Sequence, residues 1–109
     1  MLLKVIDGGS VSQTILSRAQ ESVLDHSGLV AVTAVSQVVL PANAFRSGFF
    51  IQNLSQRPMF INELGNALAG PGSYQLAPGA SFPPAGYPVS IGAVSVLGTA
   101  TDGFTAREW

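Results

Sequence analysis

The chain has 109 residues, 47% of them hydrophobic and only 10% charged, with a formal net charge of −1. That length holds one domain with a modest core. Charge usage far below the roughly 25% of ordinary globular chains leaves much of the surface to Gly, Pro, Ala and small polar residues, or to contacts with other chains. The five cations, Lys4, Arg18, Arg46, Arg57 and Arg107, form no basic run, which argues against nucleic acid as a partner, and the lack of cysteine removes disulfides, thiolate metal sites and a cysteine nucleophile.

The opening "MLLKVI" is interrupted by Lys4 and closed by Asp7-Gly8-Gly9, too short for the apolar region of a secretion signal. No run approaches the ~20 apolar residues of a membrane span, so a chain that is neither exported nor membrane-bound is expected. Residues 1–28 hold the only lysine, the only histidine and three of the six acids, without proline or an aromatic residue. Ser10 and Gln13 resemble a capping box, and Val11, Ile15, Leu16, Ala19 and Val23 recur at helical spacing. Against that amphipathic helix stands an extended arm ended by the turn "DHSG"; an arm ordered by its contacts is the preferred reading.

From residue 29 the pattern is β. In "LVAVTAVSQVVL" the even positions Val30, Val32, Ala34, Val38 and Leu40 lean apolar, as in one half-buried strand. "FFIQN" and "MFIN" read as strands joined by the hairpin-sized "LSQRP". "ELGNALAGPGS" is a long loop, and "YQLAPGASF" gives two short strands about a Pro78-Gly79 turn. After the loop "PPAGYP", "VSIGAVSVLGTA" is the longest late strand, its two glycines marking a bulge or close backbone approach. "TDG" turns the chain into "FTAREW". Six to eight short strands with no long helix between them predict an all-β fold: an antiparallel β-sandwich or jelly-roll-like barrel over residues 29–109, with an N-terminal arm over 1–28.

Ingredients for chemistry are scarce. His26 has only Asp25 beside it and reads as an exposed turn histidine rather than a base or ligand; no metal-ligand spacing occurs, and the acids form no paired set for glycoside chemistry. "GPGS" and "APGAS" lack the lysine and following helix of a phosphate loop. No catalytic residue, cofactor or metal is expected. Most aromatics fall within strand patterns; Tyr87, flanked by Pro84 and Pro88, is the best exposed loop aromatic and the basis of a glycan-binding alternative. Asn43 and Arg46 open the "FFIQN" strand. An arginine there bonds carbonyls of a neighbouring loop or pairs with an acid such as Glu108, a structural role; the alternative is an intersubunit salt bridge.

The series "LPANAFRSGFFIQNLSQRPMFIN", "GSYQLAPGASF" and "VSIGAVSVLGTATDGFTAREW" resembles small virion proteins of tailed bacteriophages. The matching residues are Asn43, Arg46, Ile51, Gln52 and Asn53 in the Asn-x-x-Arg turn and "IQN" strand. Leu76, Pro78, Gly79, Ser81 and Phe82 match a hairpin, and Phe104, Thr105, Ala106, Glu108 and Trp109 match the closing strand. The resemblance spans about residues 29–109, and nothing is carried over to the first 28. It implies a non-enzymatic head decoration (cement) protein: a β-sandwich, with a homotrimer favoured, seated on the capsid surface after assembly in the host cytoplasm and bracing the major capsid protein. Tail, head-tail joining and fibre-base components are alternatives of similar build. In such a protein the arm is expected to lie across, or exchange with, a neighbouring subunit.

The closing strand places Phe104 and Ala106 on one face and Thr105 and Arg107 on the other. Trp109 is assigned to the Phe104 side, covering the open end of the core or a subunit seam. Arg107 and Glu108 face opposite sides and are not expected to pair.

Overall fold

Short runs, most of them rich in β-branched and aromatic residues and bounded by Gly, Pro, Asn or Ser, produce nine strands and no helix among the residues that the computed structural model describes, 23–109. The expectations for Ser10, Gln13 and the rest of 1–22 lie outside the described residues. In chain order the strands are β1 (Leu24–Asp25), β2 (Gly28–Leu29), β3 (Gln37–Leu40), β4 (Phe49–Asn53), β5 (Met59–Asn62), β6 (Tyr74–Leu76), β7 (Ser81–Phe82), β8 (Val94–Leu97) and β9 (Gly103–Glu108).

They form two antiparallel sheets, β1-β9-β4-β7 with β2 also on β9, and β3-β8-β5-β6. The fold is an all-β sandwich. Phe49 and Ile51 of β4, Phe82 of β7, and Phe104 and Ala106 of β9 face Leu40, Met59, Ile61, Leu76, Val94 and Val96 of the second sheet in one buried cluster. Each large apolar side chain so buried contributes about 1.5–3 kcal/mol.

Strand pairing starts before the expected boundary at residue 29. Leu24 and Asp25 lie opposite Glu108 and Arg107, and Gly28 and Leu29 lie opposite Phe104 and Gly103. The end of the anticipated arm is thus an edge of the first sheet, in the same chain.

Three connections differ from the sequence reading. The run from residue 29 to 40 is not one strand: Ala34 takes a positive φ of 61° and its amide donates to the Gly98 carbonyl, so the chain turns between β2 and β3. Val32 and Val38 consequently face solvent while Val30 and Leu40 are buried. "LSQRP" is not a hairpin, because β4 and β5 belong to opposite sheets. Asn53 shapes this crossing: its Nδ2 donates to the carbonyls of Arg57 (2.7 Å) and Leu76 (3.0 Å), and its Oδ1 accepts from the Ser55 amide and hydroxyl. A side chain that replaces turn hydrogen bonds in this way fixes a loop that no hairpin geometry requires. The Pro78-Gly79 segment does turn, with Gly79 at φ +81° and the Ala80 amide on the Ala77 carbonyl, but it too carries the chain between sheets. Finally, β8 is only four residues and β9, at six, is the longest strand.

Trp109 does not take the Phe104 side. Alternation along β9 puts Phe104, Ala106 and Glu108 on the inner face, so position 109 follows Thr105 and Arg107 outward. The Trp109 ring lies instead across Gly48, where an added Cβ would sit 2.6 Å from it, and remains 44% exposed. Its carbonyl accepts from the Ser47 and Gly48 amides, and its amide donates to the Gly48 carbonyl.

Candidate functional site

Glu108 occupies the last inward position of β9, opposite Phe49 of β4 and Leu24 of β1. A carboxylate at the end of an apolar core must find donors to remain ionised. They come from the turn before β4: Asn43 Oδ1 accepts the Phe45 amide (3.0 Å) and the Asn43 carbonyl accepts the Arg46 amide (3.1 Å), folding "NAFR" so that both polar side chains point inward. Arg46 Nε donates to Glu108 Oε1 at 2.9 Å and Asn43 Nδ2 to the same oxygen at 3.1 Å. The rest of the guanidinium reads backbone. Nη1 donates to the Ser90 and Gly92 carbonyls (2.7 and 2.9 Å) and Nη2 to the Pro41 carbonyl (2.7 Å). Its Cζ lies 5.3 Å from the centroid of the Phe49 ring. Arg46 thereby joins the segment before β4, the segment before β8 and the end of β9.

The other carboxylate oxygen, Oε2, is 2.7 Å from His26 Nε2. His26 is a half-buried partner of the node, not an exposed turn residue, and its amide donates to the Ala106 carbonyl. With Glu108 ionised, the imidazole makes this bond only as an Nε2–H donor. Burial by itself pushes the Glu108 carboxyl up. The Arg46 and Asn43 hydrogen bonds, the Arg46 charge and the His26 bond together outweigh it and hold the group below its ordinary value of 4.5. Every polar atom of the node that reaches Glu108 is engaged inside the chain, so the arrangement clamps three segments to the end of β9.

Two further clamps follow the same logic. Arg57 makes a two-pronged contact with buried Asp102, Nη2 to Oδ1 at 2.6 Å and Nε to Oδ2 at 3.2 Å; nothing in the spacing of residues 57 and 102 signals it. Arg107, on the outer face, reaches Asp25 of β1 at 3.5 Å with both side chains exposed, a pair of little energetic weight. Arg107 and Glu108 accordingly do not meet.

Tyr87 lies apart from the node. Its ring meets Phe82 edge-on (centroids 5.3 Å apart) and its hydroxyl donates to Glu63, which raises the phenol's pKa. It borders an open groove of about 420 Å³ that Glu63, Leu64, Pro88, Val89 and Ser90 also line. No cluster of three or more His, Cys, Asp or Glu side chains able to hold a metal occurs among the described residues. No protein-family model, curated protein or solved structure matches the chain.

Proposed function

We propose that the chain is a virion structural protein of a tailed bacteriophage, a head decoration protein that braces the major capsid protein by burying surface between subunits and performs no catalysis. The observation that carries this reading is the apolar surface. Phe45 is 92% exposed and Leu64 87% exposed, and Leu24, Leu29, Val32, Val38 and Leu68 also stand open to solvent. Phe45 is presented by a turn that Asn43, Arg46 and Glu108 hold rigid. A large aromatic fixed outside the core adds nothing within one chain, but it suits an anchor for a partner's pocket. Burying such a side chain contributes about 1.5–3 kcal/mol, so several per subunit, repeated around a lattice, support adhesion without any single large interface. The resemblance of residues 29–109 to decoration proteins points the same way, and a homotrimer is the expected assembly.

Immunogold electron microscopy of the phage particle whose genome encodes the chain tests this. Label distributed over the head is the expected result. Label confined to the neck or tail would move the assignment to a joining or tail component, and unlabelled particles would reject a virion role.

A further inference from the structure

In "PPAGYP" the Tyr87 amide donates to the Pro84 carbonyl (3.1 Å) and Gly86 takes φ +80°, a tight turn whose third position suits glycine. Tyr87 therefore leaves the turn at a fixed point, and its ring packs edge-on against Phe82. Tyr74 of β6 tilts against the same Phe82 ring, with centroids 4.9 Å apart. Phe82 is fully buried, whereas Tyr74 and Tyr87 remain 42% and 40% exposed. One sealed ring thus acts as a pedestal that holds two aromatic side chains at the surface, where the edge strands β6 and β7 of the two sheets meet.

The groove beside Tyr87 is fixed in the same manner. Ser90 Oγ donates to the Glu63 carbonyl (3.3 Å) and accepts from the Gly92 amide (3.2 Å), and Arg46 holds the Ser90 carbonyl (2.7 Å), which ties the groove wall to the Glu108 node. The Tyr87 hydroxyl donates to the Glu63 carboxylate and orients it. That bond leaves acceptor capacity, since the two carboxylate oxygens together offer about four lone-pair sites. Leu64, Pro88 and Val89 supply an apolar lining, and the volume of about 420 Å³ lies within the range of small-molecule sites.

These groups select a ligand by chemistry. The flat faces of Tyr87 and Pro88 take a ring by stacking, and the oriented carboxylate takes hydrogen-bond donors. The described lining holds no cation to receive a phosphate or a carboxylate, so nucleotides and acidic ligands are disfavoured. A ring with apolar C–H faces and a rim of hydroxyl donors meets both demands. We propose that the groove binds a neutral oligosaccharide, with one sugar ring stacked on Tyr87, its hydroxyls donating to the Glu63 carboxylate, and an adjoining ring against Tyr74. The proposal goes beyond the virion reading and does not depend on it, because it concerns the isolated chain.

Titration of the 15N-labelled full chain with cellotriose, maltotriose and triacetylchitotriose, followed through its amide resonances, tests it. At least one of the three should give saturable shifts at Glu63, Leu64, Tyr87, Val89 and Ser90 while the Ile51 and Phe104 signals stay in place. Tyr87→Ala should weaken that binding about tenfold or more, and Glu63→Ala about fivefold, with the Ile51 and Phe104 signals reporting an intact core in each variant. No saturable shift with any of the three sugars, shifts centred away from the groove, or unchanged affinity in either variant would each overturn the assignment. So would groove amides that shift with protein concentration in the absence of sugar, which would show that a second copy fills the groove.

Discussion

At the scale of single residues, stability concentrates at Glu108. Removing one partner of a buried, hydrogen-bonded ion pair leaves an uncompensated charge and costs about 3–5 kcal/mol. Arg46→Ala, which strips Glu108 of its main donor and frees the Pro41, Ser90 and Gly92 carbonyls, should therefore lower the unfolding free energy by about that amount in denaturant melts. Arg46→Lys should recover little of it, since an ammonium on a flexible stem cannot meet carbonyls on two segments and a carboxylate together. The same group sets the acid limit. Because the folded Glu108 carboxyl titrates below its ordinary value of 4.5, its contribution is full above that pH and drains away as the pH falls through the lowered folded value. Melting temperature should drop through that acid range, and Glu108→Gln, less stable at neutral pH, should show a shallower decline. Much of this node is legible in the sequence: Asn43, Arg46 and Glu108 can be named from an arginine at the mouth of an apolar strand and an acid in the closing one. His26 cannot. Its neighbours spell a polar turn, and only the pairing of Leu24 with Glu108 brings the imidazole to the carboxylate.

At the scale of elements, β9 organises the first sheet, flanked by β4 on one side and by β1 and β2 on the other. Strands with alternating β-branched and aromatic residues, such as "FFIQN" and "FTARE", announce themselves by period, and each lies where its pattern puts it. Their partners do not announce themselves. A five-residue connection has the same composition whether it closes a hairpin or crosses between sheets; the difference lies in Asn53, whose amide bonds across to Leu76. Asn53→Ala should consequently loosen both crossings, costing about 2–4 kcal/mol through the stranded Arg57 and Leu76 carbonyls, with faster amide exchange at Ser55 and Gly79 as the local readout. The outward placement of Trp109 likewise follows from counting along β9. Because its ring is only partly covered, by Gly48, Trp109→Ala should cost about 2 kcal/mol, less than the 3–5 kcal/mol of a fully buried aromatic. Gly48→Ala should cost a similar amount by displacing the same ring, and the double variant should fall short of the sum.

For the whole molecule, composition and structure agree on where the unusual feature lies. So small a charged fraction forces apolar side chains outward once the core is full, and β3 exposes Val38 while loops expose Phe45, Leu64 and Leu68. Which of these meet a partner is not written in periodicity, because a contact surface between chains has no repeat of its own. If they are contact surface, adding charge there should dissolve assembly without unfolding the domain: Phe45→Asp should reduce oligomer mass while leaving the melting transition of the sandwich in place. The most direct measurement is the solution mass of the full chain by light scattering across micromolar concentrations. A mass near three times the 11.3 kDa of one chain is the expected result, whereas a fully soluble monomer at every concentration would contradict the reading of the exposed apolar surface as a subunit interface.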